Sequence, residues 1–225
     1  MKQLLRTVTL LPVLVSLGCA GVPQRYIQDG CAMINAEGNV QRNDFPLIFV
    51  YGFMGYEIDS FVNFPYWGGL TDLRAELMES GFRVFTPEIG PVSSNWDRAC
   101  ELYAAIKGGR VDYGAAHSRL HGHDRYGRSY PGFFPEWGER DPGTGEEHKV
   151  HLIGHSMGGQ TGRLLTHLLS YGDPAEQAAA GESCSPLFRG GSRAVASVTT
   201  ISTPHDGTTL SASYDQVGAL EKLFV

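Results

Sequence analysis

The sequence predicts an α/β fold with a mostly parallel sheet and helices on both of its faces. Short apolar runs alternate along the chain with segments whose apolar residues recur at helical spacing, which is the pattern of parallel βαβ units. One of these runs leads directly into a serine that is flanked by glycines. With 225 residues, of which 42% are hydrophobic and 19% charged, the chain is long and apolar enough for one domain with a substantial core.

The first half of the chain predicts a strand, a helix and a second strand in succession. Residues 46–53, PLIFVYGF, form a continuous apolar run that suits a strand buried on both faces of a parallel sheet. A helix is expected next, and it ends at Gly81, a typical C-terminal stop. The apolar residues that predict this helix are Leu70, Leu73, Leu77 and Met78. A short second strand is predicted at 82–85.

The second half predicts a strand at 149–153, a helix at 161–171 and a last strand at 194–202. The stretch before them, about 91–148, is rich in glycine, histidine, tyrosine and charged residues and shows little regular periodicity. Ordinary connections between such elements take roughly 2–6 residues plus a helix. We therefore interpret this stretch as an inserted subdomain.

Charge and hydropathy limit the partners of the chain. The net charge is −6 and no basic cluster is present, which excludes a nucleic-acid partner. The apolar run 7–17 is too short to span a bilayer, so no transmembrane helix is expected in the mature chain. Because Lys2 and Arg6 precede this run and small residues follow it, residues 1–20 are predicted to be a signal peptide of a secreted or periplasmic protein. Residues 21–42 would then form an N-terminal extension.

The cysteines leave two questions open. Lipid attachment at Cys19 is an alternative to signal cleavage, but Ser16 stands where the lipoprotein pattern has leucine. The three remaining cysteines are Cys31, Cys100 and Cys184, and an odd number cannot all pair within one chain. One disulfide would form in an oxidising compartment, whereas buried free thiols are the alternative.

The serine flanked by glycines predicts a nucleophile. The segment Gly154-His155-Ser156-Met157-Gly158 follows a predicted strand and precedes a predicted helix, where GxSxG forms a tight turn that exposes the serine hydroxyl. An attacking serine creates a negatively charged substrate oxygen, which needs backbone N–H donors already aimed at it. Met157 at the start of the helix and Phe53 after the first strand are the expected donors. A merely structural turn is the alternative.

The general base and its acid are harder to find. In this architecture the chain order is serine, acid, histidine, and only His167 and His205 follow Ser156 among histidines. His167 lies within the helix that follows the serine and should point elsewhere. His205 and Asp206 end the last predicted strand, but neighbouring side chains normally point apart, so both cannot serve one triad. The triad acid and histidine are therefore expected outside this chain.

Several motifs carry a resemblance that covers residues 43 to about 210. They are NDFPLIFVYGFMG, YWGG, SSNWDRACELYAAIKGGRVDYGAAHSRLHGHDRYGRSYPG, VHLIGHSMGGQT, SPLFRGG and SVTTISTPHDGTTL. In these motifs the chain resembles the zinc-containing bacterial lipases of thermophilic bacilli and staphylococci, which are secreted triacylglycerol hydrolases with an α/β-hydrolase fold. The resemblance implies a partial α/β-hydrolase domain at 43–225 with a zinc-type insert at about 91–148. It also implies that Ser156 is the nucleophile and that Phe53 and Met157 supply the oxyanion hole.

The resemblance further implies a structural zinc ion held by two aspartates and two histidines. The matching positions are Asp97, His117 and His123, and the second aspartate would lie outside this chain. From the residues alone the site is open, because His121 is as plausible a partner for His123 and solvated surface histidines are the alternative. With the resemblance, zinc is expected to pin the irregular insert to the core.

Two departures from the family pattern bear on function. Tyr51 stands where the family has histidine, which should tune the oxyanion hole without abolishing it, because the donor is a backbone N–H. Family members also continue well beyond this length, so the chain is either a fragment or lacks the full mechanism. The unprotected edge of its last strand should make the isolated chain poorly soluble.

The expected function is that of a secreted serine ester hydrolase, a triacylglycerol lipase that acts at a lipid–water interface through an acyl-enzyme on Ser156. A short-chain carboxylesterase and an acyltransferase share every one of these motifs. A truncated, non-catalytic remnant is the third alternative, because the triad acid and histidine are not found.

Overall fold

The computed structural model describes residues 32–34, 40–42, 45–55 and 65–208. The predicted signal peptide, Cys19, Cys31 and most of the predicted N-terminal extension lie outside the described residues. Within that extension, strands β1 (Ala32–Ile34) and β2 (Val40–Arg42) pair antiparallel.

The remaining elements alternate between strands and helices. The strands are β3 (Leu47–Val50), β4 (Val84–Phe85), β5 (Gly109–Asp112), β6 (Tyr126–Tyr130), β7 (Val150–His155) and β8 (Val195–Ile201). The helices are α1 (Leu73–Glu79), α2 (Asn95–Lys107), α3 (Ala115–His121), α4 (Met157–Tyr171) and α5 (Pro174–Ala180), followed by short 3-10 turns at Gly181–Ser183 and Pro186–Phe188.

The central sheet has the strand order β4-β3-β7-β8, and all of its pairs are parallel. Alternate residues of β3 face opposite sides, as the pleat requires. Ile48 and Val50 pack into a core with α2 and α4, whereas Phe49 and Tyr51 pack with Trp67 and the apolar residues of α1. The predicted α/β class, with helices on both faces of a parallel sheet, is therefore confirmed.

Several predicted bounds need correction, and the strands predicted at 46–53 and 82–85 are shorter, at Leu47–Val50 and Val84–Phe85. The first helix begins at Leu73, because Asp72 caps it, and Leu70 is 94% exposed instead of packing in the helix. The strand before the serine extends to His155, and the helix after it begins at Met157 instead of residue 161. Both corrections at the serine shorten the turn that carries it.

The segment 91–148 contains more regular structure than its sequence predicted. It opens with α2, a helix of 13 residues whose Ala99, Leu102 and Ile106 are fully buried in the core shared with α4. Its apolar stripe is interrupted by Arg98 and Glu101, which are buried too, so the helical pattern was obscured. The antiparallel hairpin β5–β6 and helix α3 follow. The limits of an inserted subdomain stay a prediction.

Two further observations concern the cysteines and the length of the helices. Cys100 and Cys184 are buried free thiols, and burial raises the pKa of Cys100 well above its usual range. They therefore form no disulfide with each other. Within the described ranges, no helix combines the length and apolar character that crossing a bilayer requires.

Candidate active site and metal centre

Ser156 occupies the turn between β7 and α4, where its backbone adopts φ 52° and ψ −126°. A positive φ is unusual and costly for a residue with a side chain. The neighbouring glycines make this turn feasible. A Cβ added at Gly154 would lie 2.4 Å from the carbonyl carbon of Gly158, and one added at Gly158 would lie 2.1 Å from the carbonyl oxygen of Val50. Only glycine fits at both positions.

The loop after β3 runs directly beside Ser156. A Cβ added at Gly52 would lie 2.9 Å from Cβ of Ser156, so only a residue without a side chain allows this approach. The serine itself is held by its N–H, which donates to the carbonyl oxygen of Ile201 at 2.8 Å. The structure therefore brings together the end of β3, the end of β8 and the turn that carries the serine.

The two expected oxyanion donors belong to segments that meet at this serine. Phe53 directly follows Gly52, and Met157 is the first residue of α4, where helical N–H groups lack intrahelical partners. Within the described part of the chain, neither N–H forms a hydrogen bond. Both amides are therefore available to a substrate oxygen as far as the described residues show.

Tyr66 is a site residue that the sequence analysis missed. Its hydroxyl oxygen accepts the N–H of Gly52 at 3.0 Å and lies 2.5 Å from Nδ1 of His155, the residue before the serine. The ring of Tyr51 packs edge-on against Tyr66, at 4.8 Å between ring centroids. The ring of Tyr51 thus packs against Tyr66, and its backbone oxygen accepts a hydrogen bond from Arg98.

The histidines that follow Ser156 in the chain have other partners. Nδ1 of His205 lies 2.7 Å from Nη1 of Arg163, and its Nε2 lies 3.1 Å from Oγ1 of Thr200. His167 is exposed on α4, with its ring 5.1 Å from that of Tyr171. Among the described residues, neither histidine forms a hydrogen bond with Ser156. That the triad acid and histidine lie outside this chain stays a prediction.

A second cluster joins Asp97 in the first turn of α2, His117 on α3 and His123 just after α3. One ligand atom from each residue lies within 4.8 Å of the others. Oδ1 of Asp97 is 3.3 Å from Nε2 of His117 and 3.9 Å from Nε2 of His123. Asp97, which lies 20 positions before His117 and 26 before His123, thus converges with both histidines on one point. His121, which the sequence left open as a ligand, is not a member of this cluster.

The cluster has the donor chemistry that a divalent cation requires. Oδ1 of Asp97 is buried and has no hydrogen-bond partner among the described residues, which is costly unless a cation satisfies it. Nδ1 of His123 lies 2.9 Å from the carbonyl oxygen of Asp124 and can only donate to it, which leaves the lone pair of neutral His123 on Nε2. Burial, partly offset by Asp97, lowers the pKa of His117 and favours the neutral form that binds metals.

Helix α3 is held in place by Glu176, another residue that sequence analysis missed. Its carboxylate accepts the backbone N–H of Ala116 at 2.9 Å and of His117 at 2.6 Å, and the side chain is almost fully buried. A Cβ added at Gly114 would lie 2.4 to 2.6 Å from the carboxylate atoms. The charge of Glu176 therefore orients the helix that carries His117.

Comparison with known proteins shows which family this chain matches. The model of the family described as "Lipase-like, C-terminal domain" matches residues 43–224. A lipase of Staphylococcus epidermidis is 46% identical over 181 residues, which are 77% of this chain and 25% of that protein. Lipase 2 of Staphylococcus aureus is 45% identical over 188 residues, 80% of this chain and 26% of that protein. The chain thus spans about a quarter of the length of these curated relatives.

Solved structures agree with this result. Lipase 1 from Pelosinus fermentans matches with a TM-score of 0.72 and 52% identity, over 77% of this chain and 45% of that chain. The lipase of Staphylococcus hyicus matches with a TM-score of 0.70 and 44% identity, over 80% of this chain and 46% of that chain. EstA from Clostridium botulinum matches with a TM-score of 0.69 and 53% identity, over 76% of this chain and 38% of that chain. The resemblance to bacterial lipases and the predicted α/β fold class are confirmed, whereas a metal-binding insert stays a prediction.

Proposed function

Because the chain belongs to the family of lipase-like C-terminal domains, we propose that it is the nucleophile-bearing part of a triacylglycerol lipase. One observation carries the proposal. Ser156 occupies the apex of a turn at positive φ, directly beside the glycine that precedes Phe53. This is the arrangement in which a serine hydroxyl and two backbone N–H groups face one carbonyl group.

In the proposed reaction, Oγ of Ser156 attacks the ester carbonyl carbon while a general base takes its proton. The carbonyl oxygen becomes negatively charged and accepts hydrogen bonds from the N–H groups of Phe53 and Met157. The tetrahedral intermediate collapses, the base returns its proton to the leaving alkoxide, which departs as the alcohol, and an acyl-enzyme remains on Ser156. A water molecule, deprotonated by the same base, then releases the fatty acid and restores the serine. The base and its acid are supplied from outside the described residues.

Zinc is the cation that we propose for the second cluster, with Asp97, His117 and His123 as ligands and a fourth ligand outside this chain. Bound there, zinc would act as a structural cross-link between the start of α2 and the segment around α3. Oδ1 of Asp97 is buried without a hydrogen-bond partner among the described residues and lies within 4 Å of both histidines, which supports this assignment.

Action at a lipid–water interface after export is also proposed. Phe53 and Met54 are apolar yet 46% and 54% exposed, and they lie on the loop beside Ser156. Apolar side chains exposed beside a reactive group suit contact with a lipid substrate. Export rests on the charged and apolar pattern of residues 1–20 alone.

Labelling with a fluorophosphonate probe tests the nucleophile. In protein that contains the general base, we expect stoichiometric labelling that disappears in Ser156→Ala and persists in Ser129→Ala, a control at an exposed serine on β6. A folded chain that is not labelled would support the non-catalytic alternative. Rates on emulsified long-chain and on dissolved short-chain esters then test the lipase assignment, and turnover of short esters alone would indicate a carboxylesterase.

Elemental analysis of the purified protein tests the metal. We expect about one zinc per chain, lost in Asp97→Asn and retained in Asp141→Asn, whose carboxylate caps an exposed turn. Chelation should also lower the melting temperature of the wild type, because metal bound only to the folded state stabilises it. A metal-free protein whose melting temperature changes neither with added zinc nor with chelator would contradict the assignment.

A further inference from the structure

Arg98 is a buried cation that neither the reaction nor the metal cluster uses. It follows Asp97 on α2, and its side chain is completely inaccessible to solvent. Burial lowers the pKa of Arg98 to about 10, so the guanidinium remains charged at neutral pH. A buried charge is costly unless its hydrogen bonds are satisfied, so the partners of this side chain have structural consequences.

The guanidinium joins three separate segments. Nη2 donates a short hydrogen bond to the backbone oxygen of Tyr51, and Nη1 donates to the backbone oxygen of Gly90 at 2.6 Å. Nε donates to Oγ1 of Thr161 at 3.1 Å. Tyr51 lies at the end of β3, Gly90 lies in the loop after β4, and Thr161 lies one turn into α4. The planar fork of arginine is suited to such fixed multiple contacts.

The contact with Tyr51 fixes the peptide plane that leads into the proposed oxyanion loop. The oxygen of Tyr51 and the N–H of Gly52 belong to the same peptide group and point in opposite directions. Arg98 binds the oxygen, and the hydroxyl of Tyr66 accepts the N–H at 3.0 Å. Further along, the N–H of Met54 donates to the oxygen of Pro91 at 2.8 Å. The backbone on both sides of Phe53 is therefore held, which orients the N–H of Phe53 between them.

The contact with Thr161 reaches the other proposed donor. Thr161 is fully buried, and its hydroxyl lies 3.1 Å from the backbone oxygen of Met157, one helical turn earlier. The guanidinium therefore touches the helix that presents Met157 and the loop that presents Phe53 at once. Both halves of the proposed oxyanion hole are attached to one side chain.

We propose that Arg98 is a positioning residue that sets the separation and direction of the two oxyanion donors, the N–H groups of Phe53 and Met157. The proposal rests on the proposed function, because it assigns a role within that same site. Arg98 touches no substrate, and it acts through the Tyr51–Gly52 peptide and through Thr161. Substituting it should misalign the donors without changing the nucleophile.

Paired oxygen and sulfur substrates test this role. A thionoester differs from its ester only in the atom that enters the oxyanion hole, so the ratio of the two kcat/KM values reports on the hole itself. In Arg98→Lys we expect this ester-to-thionoester ratio to fall at least about tenfold, since one misplaced donor typically costs 10²–10³ in rate. Thr161→Val removes the anchor on α4, together with the hydroxyl contacts to Asn95 and Met157, and should lower the ratio less. Arg193→Lys, at an exposed arginine, should leave it unchanged.

A general loss of folded protein would lower both rates equally and leave the ratio intact, and that result would overturn the proposal. Hydrogen exchange gives a second measurement that needs no turnover. Exchange of the hydrogen-bonded amides of Gly52, Met54 and Gly159 should accelerate in Arg98→Lys, while the β7 amides keep their protection. Uniform acceleration, or none, would also overturn the proposal.

These outcomes distinguish the proposed function of Ser156 from the proposed role of Arg98. Turnover that survives in Ser156→Ala would refute the proposed function, whatever Arg98 does. Turnover that requires Ser156 but shows an unchanged ratio in Arg98→Lys would refute only the role of Arg98. If the chain hydrolyses neither substrate, the exchange pattern decides whether Arg98 holds both segments.

Discussion

Gly158 is the residue whose substitution should most directly disturb the nucleophile turn. Gly158→Ala would place a Cβ 2.1 Å from the oxygen of Val50 and 2.7 Å from the oxygen of Tyr51, both of them backbone atoms. We expect a loss of about 3 kcal/mol in the free energy of unfolding, measured by urea denaturation.

Gly162→Ala is the matched control on the same helix. Its added Cβ would lie no closer than 3.7 Å to any neighbour, which is ordinary contact. This variant should be about 0.5–1 kcal/mol more stable than wild type, because alanine favours helices over glycine. Equal effects of the two substitutions would contradict the steric account of the turn.

His151 should make the stability of the fold depend on pH. Burial lowers its pKa below the ordinary 6.5, so the folded chain resists a proton that the unfolded chain accepts. Above pH 6.5 both states are neutral at this residue and stability is unaffected. As the pH falls below that value, unfolding takes up the proton and stability declines until the pH passes the folded pKa.

Urea titrations between about pH 8 and pH 5 measure this dependence. We expect His151→Gln to flatten the decline below pH 6.5, and His167→Gln, at an exposed position on α4, to leave it in place. A wild-type slope that survives in His151→Gln would assign the effect to other groups.

The residues of the candidate site differ in how far sequence could predict them. Ser156 and Met157 are neighbours within one local motif, and Phe53 follows a recognisable strand, so their placement needs only local rules. Arg98 and Tyr66 act through backbone atoms that are distant in sequence. No spacing rule links residue 98 to residue 51, since that contact exists only once α2 has packed against α4 and the sheet.

At the scale of elements, the carboxylate of Glu176 controls the helix that bears His117. Glu176→Gln keeps the size but replaces an acceptor of two backbone N–H groups by a neutral amide. We expect a loss of about 1.5–3 kcal/mol in stability. Zinc affinity, measured by competition with a chelating dye, should fall about 10- to 100-fold, as for other groups that orient a ligand.

Glu182→Gln, at an exposed position, should change neither the stability nor the zinc affinity. Unchanged zinc affinity in a folded Glu176→Gln would show that the contacts of Glu176 with α3 do not affect zinc binding.

Sequence periodicity predicted the elements that bury one or two clean apolar faces. These include β3, whose residues are apolar throughout, and α4, whose leucines share one side. It failed at α2, because the charged residues Arg98 and Glu101 interrupt the apolar pattern of the buried face. A local signal was nevertheless available, since Ser94 accepts the N–H of Asp97 as an N-terminal cap and Gly108 ends the helix. Elements that bury charge for a specific purpose are the ones that pattern analysis misses.

At the scale of the whole molecule, the exposed side of the sheet should govern solubility. Among the described strands β8 pairs only with β7, and its Ile201 is 44% exposed. An uncovered strand edge is a template for pairing with another chain. We expect the 225-residue polypeptide to self-associate in light scattering, and we expect Ala196→Lys on β8 to reduce that association.

Ala179→Lys is the matched control, because it adds the same charge at an exposed position of α5. If both lysines improve solubility equally, net charge and not the strand edge is responsible. A monodisperse wild-type chain would contradict the expectation altogether.

The backbone angle of Ser156 has a consequence for how activity and robustness relate in this protein. A non-glycine residue at φ 52° and ψ −126° costs on the order of 1–3 kcal/mol, whereas glycine adopts that conformation freely. Ser156→Gly should therefore melt at a higher temperature than Ser156→Ala, although both lack the hydroxyl. Equal melting temperatures would show that the angle is cost-free. Selection for thermal stability alone would therefore favour replacing the serine. Selection for catalytic activity would retain the strained backbone conformation.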